Sequence, residues 1–372
     1  MNRGFQGFSL VEILVAMIIS LLGILIIFQV FEVSEGIKRT STGGGDAQQN
    51  GLLALVAMER DARSSGFGIN YPSLLGCAVQ GSESGRNIDF TLTAVEIADE
   101  VSAAGDSITF AYGNSDLLLS PPKLLAAVAT NAPFMKVDNR YGFNVNDLVI
   151  VGQTGKTCSL AQASTLPTVV GQKDQVGRGA GNYNLANLSD NYDAWNNTAQ
   201  TGGRLYSIGA NPAVMVYSID AATRQLMVRN VMTSGTAEAL ADGIVQLQAQ
   251  YGKDISVPAD GTVDIWDAAP PPWPVPLGIQ DWEAWSRVLA LRIAVVARSA
   301  LAEKPGIDGL CRDINDPTDP VKPLNDPTKR LKWAGGSLDV TYLTTADTDW
   351  TCHRYAVFET LVPLRNLIWT QP

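Results

Sequence analysis

From Ile13 to Phe28 the chain is apolar except for Ser20 and Gly23, and a carboxylate, Glu12, stands at the threshold of that run. With Phe8, Leu10, Val11, Val30 and Phe31 on its flanks, the run reaches about the 20 residues a helix needs to cross a bilayer. A helix this greasy must be surrounded by lipid or by other protein. A secretory signal would be followed by a small-residue cleavage site, but here the chain continues Gln29, Val30, Phe31, Glu32, Val33. Retention of the helix is therefore expected. Arg3 precedes it and Lys38 and Arg39 follow, so the positive-inside rule leaves the orientation open. An ionisable residue in such a helix is costly unless neutralised, paired or interfacial, which makes Glu12 a functional candidate.

The residues around Glu12 sharpen that reading. Gly7, Phe8, Ser9, Leu10, Val11 and Glu12 together resemble the cleavage motif of type IV prepilins. The resemblance implies a leader of residues 1–7, cut between Gly7 and Phe8 by a prepilin peptidase on the cytoplasmic side, with N-methylation of Phe8. It also implies a role for Glu12: pairing with the cationic N-terminus of a neighbouring subunit during assembly. Two opposite charges in a low-dielectric core attract usefully only when close and well placed, so such a pair selects register more than it adds stability. In this family the leader stays in the cytoplasm. Everything after Phe31 would then lie on the periplasmic side of the inner membrane.

An extracytoplasmic body gives the four cysteines a meaning. Cys77, Cys158, Cys311 and Cys352 form no C-x-x-C pair, and His353 is the sole histidine, so a zinc site has few ligands to draw on. Widely spaced and even in number, they read as two disulfides in an oxidising compartment. Three pairings are open; Cys77–Cys158 and Cys311–Cys352 are favoured because each closes a loop within its own half of the chain. The net charge of −10 argues against nucleic acid, whose phosphates need clustered Lys and Arg.

Past the apolar helix, Gly43-Gly44-Gly45 predicts a break, since each glycine disfavours helix by about 1 kcal/mol relative to alanine. Asp46 would then cap a second helix to about Ser65, with Leu52, Leu55, Val56 and Ala62 facing the body and Glu59 and Arg63 paired one turn apart. From Cys77 onward, turn residues punctuate short β-rich runs at 107–112, 148–151, 213–219, 225–231 and 338–343. Residues 171–203 read as a Gly/Asn-rich loop, 270–276 as extended polyproline-like chain, and 282–301 as a short helix followed by a buried strand at 288–298.

Several segments resemble PilW-type minor pilins: residues 55–67 with Glu59, Arg60, Asp61 and Gly66; 242–252; 289–299 with Arg292 and Arg298; and 354–366 with Glu359, Pro363 and Asn366. The middle, roughly 77–235, matches nothing recognisable. The resemblance implies an α+β pilin-like fold with a long N-terminal helix on antiparallel sheet, enlarged by loop and strand insertions. Its parts would be the leader 1–7, a membrane and fibre-core helix 8–31, a second helical part 32–66 with the glycine break, and a β-rich periplasmic domain 67–372. It further implies a minor subunit that primes type IV pilus assembly near the fibre tip and supports twitching motility or adhesion. Its partners would be other minor pilins, the major pilin and a large tip adhesin. The nearest alternative is a J-type-like minor pseudopilin of a type II secretion system; a membrane-tethered periplasmic hydrolase is a more distant one.

No enzyme constellation supports the hydrolase. Gly155, Lys156 and Thr157 imitate the end of a phosphate loop, but Ile150 stands where its first glycine belongs. The glycines of 177–181 follow no convincing strand, and His353 adjoins Cys352 with no nucleophile elbow anywhere. Asp313, Asn315, Asp316 and Asp319 are weak calcium candidates without EF-hand spacing, and read better as a solvated turn-rich loop. No other cofactor is expected. Trp266, Trp273, Trp282 and Trp285 either mark a partner surface or pack a thin loop region.

Overall fold

The computed structural model describes residues 9–69, 71–115, 120–179, 181–183, 187–270, 281–303, 305, 311, 331–338, 340, 342–343 and 350–368. One helix, α1 (Leu10–Ser64), runs unbroken for 55 residues, about 80 Å at the usual helical rise. Ser9 stands at its N-cap and Ser65 ends it in an extended conformation, after which Gly66 turns the chain at φ +80°, a region open to glycine without strain. The apolar half is long and greasy enough to cross a membrane and is left unburied by the other described residues.

The expected break at Gly43–Gly45 does not occur. A helix interrupted there would have to renucleate, which costs more than carrying a few poor residues through an existing ladder. Packing also favours continuity: Gly43 is buried, and a Cβ on it would lie 3.1 Å from Cβ of Ser299. Asp46 is accordingly mid-helix and caps nothing.

In chain order the strands begin with β1 (Ala78–Glu83), β2 (Arg86–Thr91), β3 (Val95–Ser102), β4 (Gly105–Tyr112) and β5 (Phe134–Lys136). Next come β6 (Leu148–Gly152), β7 (Cys158–Gln162), β8 (Gln175–Gly177) and β9 (Arg204–Gly209). After them follow β10 (Ala213–Asp220), β11 (Gln225–Asn230), β12 (Glu238–Asp242), β13 (Ile244–Lys253) and β14 (Ile265–Asp267). The remainder is α2 (Asp281–Ser286), β15 (Val288–Arg298), β16 (Lys332–Trp333), β17 (Gly336–Ser337), β18 (Tyr355–Pro363) and α3 (Arg365–Ile368).

The larger sheet has the order β12-β11-β10-β4-β13-β15-β18, with β3 added on β4 and β14 on β13. Its pairings are antiparallel apart from a single parallel contact, Leu247 with Gly105. A second sheet, β2-β1-β7-β6-β9, is antiparallel except where Val79 meets Cys158. The molecule is thus α+β, with one long apolar helix on an antiparallel-rich sheet and extra strands inserted.

Strand β15 explains why its sequence is apolar nearly throughout. Its side chains alternate between faces: Leu291, Ile293 and Val295 join the core shared with α1, while Ala294 and Val296 face the opposite side. That second face is covered by Leu331, Trp333, Leu338, Val340 and Leu343. The expected strand at 338–343 is not formed, since Leu338, Val340, Tyr342 and Leu343 adopt no strand. Their alternating pattern instead lays side chains on the sheet, and the Tyr342 hydroxyl donates to the Val245 carbonyl at 2.8 Å.

Tyr112 and Ala213 are direct cross-strand partners, so residues 113–212 form one long excursion between neighbouring strands. The excursion leaves beside the C-terminus of α1, where Gly113 N–H donates to the Phe67 carbonyl at 2.7 Å. It has its own core around Leu124, Met135, Val149, Val151, Val176 and Leu205, to which α1 contributes nothing. One disulfide joins Cys77 to Cys158, Cα atoms 6.0 Å apart; the other joins Cys311 to Cys352 at 5.1 Å.

Candidate functional site

Three places on the rod α1 bring the sequence candidates and their polar or packing partners together. At its start, the Ser9 backbone N–H donates to Glu12 Oε2 at 3.4 Å, one half of a capping box. A carboxylate in the first turn also complements the positive end of the helix dipole. Glu12 is exposed and far along the rod from the folded body, and among the described residues no group of that body pairs with it. Gly7 and Phe8 lie outside the described residues.

The second place is the face that docks on the sheet. Gly43, Ala47, Gly51, Ala54, Leu55, Met58 and Ala62 are buried, a stripe at the spacing of one helical face. Leu52, Leu53 and Val56, by contrast, point away and are about half exposed or more. Leu55 and Ala62 therefore face the body as expected, whereas Leu52 and Val56 do not. Small residues let the backbone approach closely: a Cβ at Gly51 would lie 2.3 Å from the Phe358 ring of β18. The exposed pair Glu59–Arg63 is present, with Arg63 Nε donating to Glu59 Oε1 at 3.0 Å.

The third place is a polar lock at the end of the rod. Asp61 is 1 % exposed, and its Oδ2 accepts the Tyr217 hydroxyl of β10 at 2.6 Å. Its Oδ1 accepts from Tyr112 at 3.4 Å and from Arg60 Nε at 3.2 Å. Burial first, and then the Asp61 charge, push the Tyr112 hydroxyl up to about 12. Tyr217 is raised for the same reasons, with burial leading. Nearby, the Asn366 side-chain amide donates to the carbonyls of Ser65 at 2.9 Å and Ser64 at 3.3 Å, satisfying acceptors that a helix end leaves open. Asp61 and Asn366 are plain in the sequence, but nothing in their spacing marks the first as meeting Tyr217 or the second as meeting the helix end.

The remaining candidates take structural places. Lys156 donates to the Asn191 carbonyl at 2.7 Å and pairs with Asp193 at 3.0 Å, a turn-stapling arrangement. His353 is buried, with Nδ1 2.7 Å from the Ser299 carbonyl. Trp285 is buried with its ring edge-on to Tyr251, and Trp266 stacks on the Arg292 guanidinium at 4.3 Å. Trp282 is half-buried against the core shared with α1. Asp313, Asn315, Asp316, Asp319, Trp273 and residues 271–276 lie outside the described residues. Among the described residues no group of three or more His, Cys, Asp or Glu side chains is placed to hold a metal.

The segments that meet at the rod are distant in sequence. Residues 55–67 touch β10 through Tyr217 and α3 through Asn366, Gly51 touches β18, and Gly43 abuts the end of β15. Comparison with known families gives two matches along the same lines. The model for the prokaryotic N-terminal methylation motif matches residues 2–28. The model described as type IV pilus-assembly protein W matches residues 206–366. No curated protein and no solved structure matches the chain.

Proposed function

We propose, from the premise that this chain is a PilW-type, prepilin-like pilin, that it is a minor subunit that primes type IV pilus assembly and sits near the fibre tip. As a type IV pilus-related, membrane-anchored pilin it engages pilus components and a prepilin peptidase. In that reading the peptidase cuts between Gly7 and Phe8, Phe8 is methylated, and the body folds in the periplasm. The apolar half of α1 then passes from inner membrane to fibre core, keeping its surface covered throughout. Other minor pilins, the major pilin and a large tip adhesin are the expected neighbours, and twitching and adhesion the expected outputs.

The observation that carries this is the division of one helix into two halves, the first exposed on every side and the second locked to the sheet. Apolar surface left open at this scale marks an interaction surface. The exposed Glu12 at its head supports pairing with the new N-terminus of an adjacent subunit, because a lone carboxylate entering an apolar core needs a cationic mate.

The test is direct. Mass spectrometry of the native chain should begin at N-methylated Phe8, and Gly7→Ala should block that processing. Glu12→Ala should leave processing intact while lowering recovery in purified fibres about a hundredfold or more, since breaking a buried ion pair costs about 3–5 kcal/mol. Normal incorporation of the Glu12 variant would remove its assigned role. Loss of surface fibres and twitching on gene deletion is expected; intact fibres with blocked enzyme secretion would point instead to a secretion pseudopilus.

A further inference from the structure

Strand β18 ends the larger sheet, with β15 on one side and, among the described residues, no strand on the other. The Leu364 N–H donates to the Leu289 carbonyl and the Ser299 N–H to the Arg354 carbonyl, each at 2.8 Å, and the register between these bonds is unbroken. Bonded pairs in an antiparallel ladder recur at every second residue, so Ala356, Phe358, Thr360 and Val362 turn their main-chain groups to β15. Val357, Glu359 and Leu361 therefore turn theirs outward, where among the described residues nothing bonds them. The result is a row of N–H and C=O groups without partners.

Proteins ordinarily guard such an edge by shortness, charge, proline or a bulge, and the other ends of this sheet are guarded. Strand β12 has five residues, exposes Glu238 and Asp242, and slips register against β11. Strand β3 breaks register after Ala98 and exposes Asp99, and β14 has three residues. Strand β18 has nine, with no bulge, no lysine or arginine, and no proline before its last position. Its single charge, Glu359, accepts the Ala334 N–H at 2.9 Å, and Leu361 is 54 % exposed.

A second feature stands over the same edge. Gly51 faces Phe358, and Asp61 faces β10, toward the opposite end of the sheet. At about 100° per residue, Asp61 lies about 80° to one side of Gly51, and Leu52 and Val56 lie about 100° and 140° to the other. Those two side chains overhang the open side of β18 and are 53 % and 61 % exposed. Residues 38–50, which hold no large apolar side chain, part them from the membrane-spanning half, so lipid does not account for them.

We infer that the β18 edge, roofed by Leu52 and Val56, receives an extended strand from another protein. Main-chain groups in a row specify a strand, since each N–H needs an acceptor and each C=O a donor at the strand repeat. The roof asks for apolar side chains on the α1 face of that strand, and Glu359 asks for a basic residue opposite it on the other face. A second copy fits poorly. Antiparallel pairing of two β18 edges reverses one rod against the other, which two anchors in one membrane forbid, and in-register parallel pairing sets Glu359 beside Glu359. This chain's own residues 317–327 never run more than three positions between prolines, and proline cannot donate to a ladder. The inference rests on the folded, anchored body and not on entry into a fibre.

Hydrogen exchange of the full chain in neutral detergent tests this. Without a partner, the Val357, Glu359 and Leu361 amides should exchange at least about a hundredfold faster than those of Phe358, Thr360 and Val362. The probe is a capped seven-residue peptide with valine at the odd positions, threonine at the second and sixth, and lysine at the fourth. N-methylation of its valines leaves only one edge able to pair. This peptide should slow the three outward amides, whereas the same peptide N-methylated instead at lysine and the threonines should not. Leu361→Pro removes an outward N–H without touching the β15 ladder. It should weaken peptide binding about tenfold or more, as should Leu52→Ser with Val56→Ser; unchanged urea midpoints show that these variants fold. Slow outward amides in the free chain overturn the inference, marking a cover from the chain itself where the rate is independent of concentration and a second copy where it is not. Equal action of the two peptides, action of neither, or undiminished binding to either variant overturns it as well.

Discussion

Replacing Asp61 with alanine should loosen the rod from the sheet, and the structure gives the size of the effect. The lost bond joins a carboxylate that is 1 % exposed to the buried Tyr217 hydroxyl at 2.6 Å. A hydrogen bond to a charged group contributes about 1.5–3 kcal/mol, and stranding a buried hydroxyl costs about 1–3 kcal/mol more. Two terms oppose this. Alanine is the better helix former by about half a kcal/mol, and removing an acid from the last turn relieves about 0.3–1 kcal/mol of unfavourable dipole interaction. The net expectation is a loss of about 2–4 kcal/mol. Urea unfolding of the full chain in neutral detergent, followed by tryptophan fluorescence, should show a lower midpoint at unchanged slope. Tyr217→Phe should cost about 1.5–3 kcal/mol, because Asp61 keeps Tyr112 and Arg60, and the double variant should cost much less than the sum. A change under about 0.5 kcal/mol for Asp61→Ala, or additivity in that cycle, would refute the lock.

The glycines of α1 should separate by environment. Gly45→Ala meets nothing within 4 Å and should stabilise by about 0.5–1 kcal/mol, whereas Gly51→Val, driven into Phe358, should destabilise by about 1–3 kcal/mol; unfolding midpoints moving the same way would contradict the packing described. Burial pushes Tyr112, Tyr192 and Tyr342 up to about 12 and raises Tyr206, Tyr217 and Tyr251 as well. The folded chain therefore keeps protons that the unfolded chain releases above a pH of about 10, so stability is full below that and falls as pH rises toward 12. Absorbance at 295 nm should show this tyrosine fraction ionising together with unfolding; titration of all ten tyrosines near 10 with the fold intact would exclude it. Replacing Cys77 and Cys158 by serine opens a loop of 81 residues and should cost about 2–4 kcal/mol, read from the same urea curves; no change in midpoint would show that the bridge is dispensable.

The rod was legible because its signal is local and extreme: a greasy run, one acid in register with a glycine, and a signature after the helix. The sheet strands at 107–112, 148–151, 213–219, 225–231 and 288–298 were legible for the same reason, each being a compact β-rich run between turn residues. What was misread depended on partners distant in sequence. Gly43, Ala47, Gly51 and Ala54 rank low on any hydrophobic scale, so the larger Leu52 and Val56 looked like the buried face. The sheet selected the small side, where Phe358 and Ser299 press close. Propensity alone predicts a break at the three glycines, while helix cooperativity and the packing of Gly43 against Ser299 carry the helix through. In the sequence Asp61 stands in a signature without a visible task, since its partners Tyr112 and Tyr217 come from strands on either side of a hundred-residue excursion.

That excursion begins and ends on two residues already held side by side, Tyr112 and Ala213. Closing such a loop therefore costs the scaffold little however long the loop becomes, because the entropy of closure grows only slowly with length. The helix and its sheet behave as a chassis with a built-in graft point. Whatever is carried there can be exchanged by an engineer while the rod and the Asp61 latch keep their contacts with the sheet.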